Sequence, residues 1–291
     1  MKEENGRRPA RISVAAPAKI NLFLAVTAKR PDGYHELESL FCPLDLSDRL
    51  ELDFETRGIS LACDHPQAPT DETNLAWRAA ERFFKATGIP ANLSIRLEKR
   101  IPVAAGLGGG SADAGAALAA LNRHFGEPLS EGELRRIAAE LGADVPFFLR
   151  AIPAWARGVG DRLRPIQNLP PRWVILLAFP WAVSTADVYK SLNLALTKCS
   201  KVTKSLTLTG GRFHGTGYAL CNDLETVTAA RHPEISAAKD ALLSTGAEGA
   251  LMSGSGPTVF GLFRRRETAR KAEATLARRE GWRVIATRLR V

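Results

Sequence analysis

The sequence has no C-x-x-C pair, no H-E-x-x-H run and no Cys/His cluster. Its four cysteines, Cys42, Cys63, Cys199 and Cys221, are far apart, and its five histidines are scattered. This argues against a structural or catalytic zinc site, and in a reducing compartment it reads as free thiols. Long apolar runs are missing as well. The longest, Trp173 to Phe179, stops at Pro180 and is far too short to span a bilayer. The opening residues, Met1 to Arg8, are charged and lack the apolar stretch of a signal peptide. These absences predict a cytoplasmic protein with no membrane partner. No internal repeat period is present either.

What is present is a 291-residue chain, 45% hydrophobic and 24% charged. At about 150 residues per domain this suggests two domains. The composition excludes a disordered tail, a collagen-like chain and a disulfide-stapled miniprotein. Forty basic against 31 acidic residues give a net charge of +9. That balance favours anionic ligands: nucleotides, phosphorylated metabolites or nucleic acid. Arg78, Arg82, Arg135, Arg136, Arg278 and Arg279 sit among glutamates on helix-like segments and read as solvated helix faces.

Along the chain, Ile20, Leu22, Leu24 and Val26 alternate with Lys19, Asn21, Phe23 and Ala25, which puts Lys19 and Asn21 on one face of a strand. Arg30-Pro31-Asp32-Gly33 is a turn signal. A helix is predicted near 74–86, capped by Thr73 or Asn74 and stopped by Gly88, and a strand through Leu93, Ile95 and Leu97. Ala112 to Leu121 reads as a helix, and Ser130-Glu131-Gly132-Glu133 as a capping box opening another. The prolines at 165, 170 and 171 suggest a domain junction. Beyond it come a buried strand at Val174–Phe179 and an exposed excursion over 194–212 carrying Lys198, Lys201 and Lys204. The end reads strand (Gly249–Met252), Gly/Ser loop, strand (Thr258–Phe263), helix (Glu267–Glu280) and strand (Trp282–Leu289). The order predicts an α+β protein with helices on one face of largely antiparallel sheets.

The chemistry concentrates at Pro102-Val103-Ala104-Ala105-Gly106-Leu107-Gly108-Gly109-Gly110-Ser111-Ala112. Glycine costs conformational entropy, but backbone N–H groups at a helix N-terminus, with no side chains in the way, cradle phosphate. Ser111, at the helix start, can cap it or donate a hydroxyl to phosphate or Mg²⁺. Neither a P-loop nor a dinucleotide fingerprint fits: Gly110 rather than Lys precedes Ser111, and the third glycine of G-x-G-x-x-G falls on Ser111. Lys19 beside Asn21 suits a phosphoryl oxygen or a nucleophile's hydroxyl, and is otherwise an exposed strand lysine. Asp144, before Val145-Pro146, caps the following turn or takes a proton from an attacking alcohol. Tyr34 and His35 fit a heterocyclic base or a packed hairpin aromatic equally well. The Ser253-Gly254-Ser255-Gly256 loop approaches phosphates or simply turns between two strands.

Three blocks in order, Pro17-Ala18-Lys19-Ile20-Asn21-Leu22, Pro102 through Ala112, and Met252-Ser253-Gly254-Ser255-Gly256-Pro257, resemble the GHMP kinase family across almost the whole chain. Arg30-Pro31-Asp32-Gly33-Tyr34-His35, Gly142-Ala143-Asp144-Val145-Pro146 and Asn222-Asp223-Leu224-Glu225 narrow the likeness. They resemble the branch that phosphorylates the 2-hydroxyl of CDP-methylerythritol in non-mevalonate isoprenoid synthesis. The resemblance implies a two-domain α+β fold, ribosomal-S5-like over 1–165 and ferredoxin-like over 166–291, with the site in the cleft between. It implies ATP as co-substrate with Mg²⁺ carried on it, the ATP phosphates lying along Pro102 to Ala112. It implies Asp144 as base and Lys19 as the charge stabilising it and the reacting hydroxyl. Tyr34 and His35 fall on cytosine-binding positions, Tyr189 on a second stacking ring, and Asn21, Thr185, Gly254 and Ser255 on the substrate side. A monomer or a homodimer is expected. Two departures stand out: Ser111-Ala112-Asp113 lacks one hydroxyl of the usual Ser-Ser pair, and Ser253 and Ser255 replace threonines. Against a homoserine or mevalonate kinase stand Tyr34, His35 and Tyr189, a base-binding trio. Against an RNA-binding protein stand the scattered basic residues and the lack of a stacked-aromatic RNA motif.

Overall fold

The computed structural model describes residues 8–199, 208, 209, 212, 213 and 218–291. The basic residues before Arg8, and Lys201 and Lys204 of the expected excursion, lie outside the described residues. The chain forms two compact units, each assembled from separate stretches. One takes the stretch ending at Ala16, Ser47–Arg100 and Gly110–Arg150; the other takes Pro17–Leu46, Ile101–Gly109 and Ala151–Val291.

Two long strands, β1 (Arg11–Lys29) and β2 (His35–Asp53), contribute residues to both units. In the first unit the end of β2 pairs antiparallel with β4 (Asn92–Glu98), which pairs in parallel with β3 (Gly58–Cys63). Leu50, Leu52, Leu93, Ile95 and Leu97 are buried, as their alternation predicts. α1 (Leu75–Thr87) begins where expected: Asn74 Oδ1 accepts the Ala76 N–H at 2.9 Å, and Gly88 ends the helix at φ 70°. α2 (Gly109–His124) starts three residues earlier than predicted, so Ser111 lies inside its first turn rather than at its cap. α3 (Glu131–Leu141) carries the predicted capping box. α4 (Val145–Phe148) follows directly after Asp144.

In the second unit β1 is buried from Pro17 to Val26, on both faces. The hairpin β5 (Ala154–Gly158) and β6 (Arg162–Pro165) pairs with β2. Next come β7 (Trp173–Ala178), α5 (Thr185–Ser191) and the pair β8 (Leu208–Thr209) and β9 (Arg212–Phe213). β10 (Cys221–Asn222) runs parallel to β1, Phe23 opposite Cys221. α6 (Glu225–Arg231), α7 (Glu234–Ser244), β11 (Gly249–Met252), β12 (Val259–Phe263), α8 (Arg266–Leu276) and β13 (Arg283–Arg288) complete the chain. The sheet order β11-β12-β7-β13, all antiparallel, is the split βαβ arrangement of a ferredoxin-like fold. α8 stops short of the predicted Glu280 because its buried stripe of Ala269, Ala272 and Leu276 ends there. Among the described residues no helix is long and apolar enough to cross a membrane.

The expectation of four free thiols is wrong for two of them. Cys199 and Cys221 form a disulfide, their Cα atoms 5.6 Å apart. They are separated by 22 residues in sequence, and only the fold brings them together. Cys42 and Cys63 are free. Cys199 is buried, so the excursion predicted over 194–212 is not exposed there, although Leu196 is.

Candidate active site

Most of the predicted site residues belong to the second unit. Lys19 and Asn21 share a face of β1, and both are buried. Lys19 Nζ donates to Asn21 Oδ1 at 2.9 Å and lies 4.4 Å from the centre of the Phe41 ring. Asn21 Nδ2 donates to Ser39 Oγ at 2.8 Å, and the Ser39 hydroxyl donates to the Phe23 carbonyl at 2.5 Å. Each contact fixes the next, so the ammonium is aimed by β1 and β2 together.

The glycine-rich loop packs against the first and third blocks. The Lys19 N–H donates to the Leu107 carbonyl at 2.9 Å, and Ser253 Oγ donates to the Gly106 carbonyl at 2.9 Å. Gly106 has φ +75°, and a Cβ there would lie 2.4 Å from the Ser253 carbonyl oxygen, so only glycine fits. Asn222 Nδ2 holds the third block by donating to the carbonyls of Met252 at 2.8 Å and Gly254 at 2.7 Å. Ala105 and Leu107 are buried in the core; Pro102, Val103, Gly108 and Gly109 are half-buried and Ala104 is exposed.

A second cluster lies around α5. Thr185 and Tyr189 are four residues apart and share a helix face. Thr185 Oγ1 and Ser255 Oγ are 2.7 Å apart, and the Tyr189 ring stacks on His35 with centroids 5.2 Å apart. Burial, and then the charge of Lys29, lower the His35 pKa below its usual value, so the imidazole is neutral near pH 7. A neutral imidazole offers one donor and one acceptor to a base edge. Tyr34 leaves the turn with 64% of its surface exposed.

The first unit carries the rest. Gly110 is exposed, Ser111 half-buried and Ala112 fully buried. Asp144 precedes α4, yet its side chain makes no capping hydrogen bond. α4 sits tightly on α2: a Cβ on Gly115 would lie 2.5 Å from Phe148 Cβ and 2.9 Å from its backbone carbon. The helix α2 and the turn headed by Asp144 are thus closely packed at Gly115 and Phe148.

The GHMP kinases N terminal domain pattern matches residues 74–151, and the GHMP kinases C terminal pattern matches 192–281. A Syntrophus aciditrophicus protein named 4-diphosphocytidyl-2-C-methyl-D-erythritol kinase is 44% identical over 280 residues, covering 95% of this chain and 99% of its own. The chain belongs to the 4-diphosphocytidyl-2-C-methyl-D-erythritol kinases of the GHMP kinase family. A second kinase of that name, from Syntrophotalea carbinolica, is 47% identical, covering 94% of this chain and 97% of its own. A crystal structure of a 4-(cytidine 5'-diphospho)-2C-methyl-D-erythritol kinase superposes with a TM-score of 0.80 at 36% identity, covering 96% and 99% of the two chains. A Cytophaga hutchinsonii homoserine kinase, 20% identical with a TM-score of 0.73, covers 100% of this chain and 97% of its own and shares the fold.

The sequence alone does not single out Ser39 or Phe41, and it marks Asn222 only as part of a family motif, with no role. Counting by twos along β2 from His35 reaches Ser39 and Phe41, a signal that was present. The motif does not reveal what Asn222 holds, because its partners Met252 and Gly254 are 30 and 32 residues away.

Proposed function

We propose that this chain transfers the γ-phosphoryl group of MgATP to the 2-hydroxyl of 4-diphosphocytidyl-2-C-methyl-D-erythritol, the ATP-dependent kinase step its relatives are named for. The observation that carries this reading is the meeting, in one unit, of the first and third family blocks with the glycine-rich stretch up to Gly109: Lys19 against Leu107, Gly106 against Ser253, and Asn21 beside Gly254. The family matches at 74–151 and 192–281 fall on either side of 165, which supports 1–165 and 166–291 as the two family domains.

In this reading the backbone from Pro102 to Ala112 holds the ATP phosphates, with Ser111 donating its hydroxyl. Asp144 takes the proton of the 2-hydroxyl, the alkoxide oxygen bonds to the γ-phosphorus, and the bond to the β-phosphate oxygen breaks, releasing ADP. Lys19 offsets the charge gathering at the carboxylate and the attacking oxygen. His35, Tyr34 and Tyr189 take the cytosine, and Asn21, Thr185, Gly254 and Ser255 take the rest of the acceptor. His35 and Tyr189 touch each other at 5.2 Å, so the base enters by parting them or on an outer face.

Coupled ADP release across acceptor alcohols tests the assignment. The CDP-linked acceptor is expected to support turnover, and mevalonate and homoserine are not. Turnover with mevalonate alone would overturn it.

A further inference from the structure

α2 begins on glycines, which are poor helix formers, and has no acidic side chain in its first turn to complement the N–H groups there. An anchor lies at Asp113. Its Oδ2 accepts from Lys99 Nζ at 2.7 Å, and the same ammonium pairs with Asp48. The Lys99 N–H donates to Asp64 Oδ1 at 2.8 Å, and Asp48 Oδ1 accepts the Arg100 N–H at 2.6 Å. One ammonium therefore ties α2 to β2 and to the exit of β4. The three side chains are 4% exposed or less, and Asp113 Oδ1 has no hydrogen-bond partner among the described residues.

Burying two carboxylates on one ammonium is a costly way to stabilise a fold, and apolar residues of the same volume often serve as well. What charge-assisted hydrogen bonds add is direction, because each fixes a donor–acceptor line. We propose that Lys99, Asp48 and Asp113 are positioning residues that hold the first turn of α2, so that the Gly110 and Ser111 amides stay aimed at the triphosphate. The proposal rests on the ATP reading of the glycine-rich loop.

Asp113→Ala leaves the Lys99–Asp48 pair balanced and cuts its tie to the helix. It should raise KM for ATP about tenfold, with kcat and the acceptor KM within about twofold. Hydrogen exchange in the unliganded protein should quicken at residues 113–116, whose amides bond back to the first turn, and not at 120–123. Asp113→Asn keeps an oxygen for Lys99 and should restore the KM. A folded Asp113→Ala variant with wild-type KM and exchange would overturn the proposal, as would an Asn variant no better than Ala. Should Asp113→Ala not fold, Lys99→Gln is read the same way; failure of both to fold would mark the cluster as a stability element and end the proposal. Wild-type protein that does not use ATP would refute the ATP reading, while the exchange comparison would still decide the anchoring.

Discussion

Each unit of the molecule buries a lysine, and the two are held differently. Lys99 faces the carboxylates of Asp48 and Asp113, on two separate elements. Lys19 donates to the neutral Asn21 amide and lies against the Phe41 ring. An ion cluster fixes elements against one another, whereas an amide oxygen and an aromatic face give an ammonium a direction. A buried lysine is thus neither functional nor structural by burial alone; its partners decide.

The largest effect should come from the acid that Lys19 is proposed to serve. Asp144→Asn should lower kcat about 10⁴-fold and leave ATP affinity by calorimetry within about threefold. Substantial retained activity would reduce Asp144 to a residue that merely precedes a helical turn. Lys19→Met should come next, lowering kcat about 10²-fold with little change in KM for ATP. The opposite split is expected at Lys99, so matching kcat and KM responses at the two lysines would erase the distinction. His35→Ala should raise the acceptor KM about tenfold and leave that for ATP alone; equal weakening of both would contradict base recognition.

The smallest effect is on stability. Burial first, and the charge of Asp48, push the Asp113 carboxyl up to about 7 against the opposing pull of Lys99. An unfolded aspartate titrates near about 3.9, so the folded protein binds this proton more tightly than the unfolded chain. The stability it confers is complete below that value and is lost as pH rises through about 7. The urea midpoint should therefore fall between about pH 5.5 and about pH 8.5, and Asp113→Asn should flatten the fall. An unchanged slope in that variant would assign the pH dependence to other groups.

How legible this was from sequence depends on the range of the interactions. The capping box at Ser130, the Asn74 cap and the Lys19–Asn21 face follow from spacings of two or three residues, and the structure keeps them. The start of α2 was misplaced because glycine has low helix propensity, while packing around Asp113 and Gly115 overrides it. The Cys199–Cys221 disulfide and the Asn222 bonds join residues 22 to 32 apart, with no local pattern to mark them. The Lys99 cluster was invisible for the same reason: Asp48 lies 51 residues from its lysine.

The most direct test is phosphorus NMR of the reaction with ATP and the CDP-linked acceptor. C2 of the acceptor carries a methyl group and no hydrogen, so phosphorylation there yields a phosphomonoester signal without carbinol-proton coupling, formed as ADP forms. The account predicts that singlet from the wild-type protein and its loss in Asp144→Asn. A signal split by a carbinol proton, or ADP accompanied only by inorganic phosphate, would contradict it.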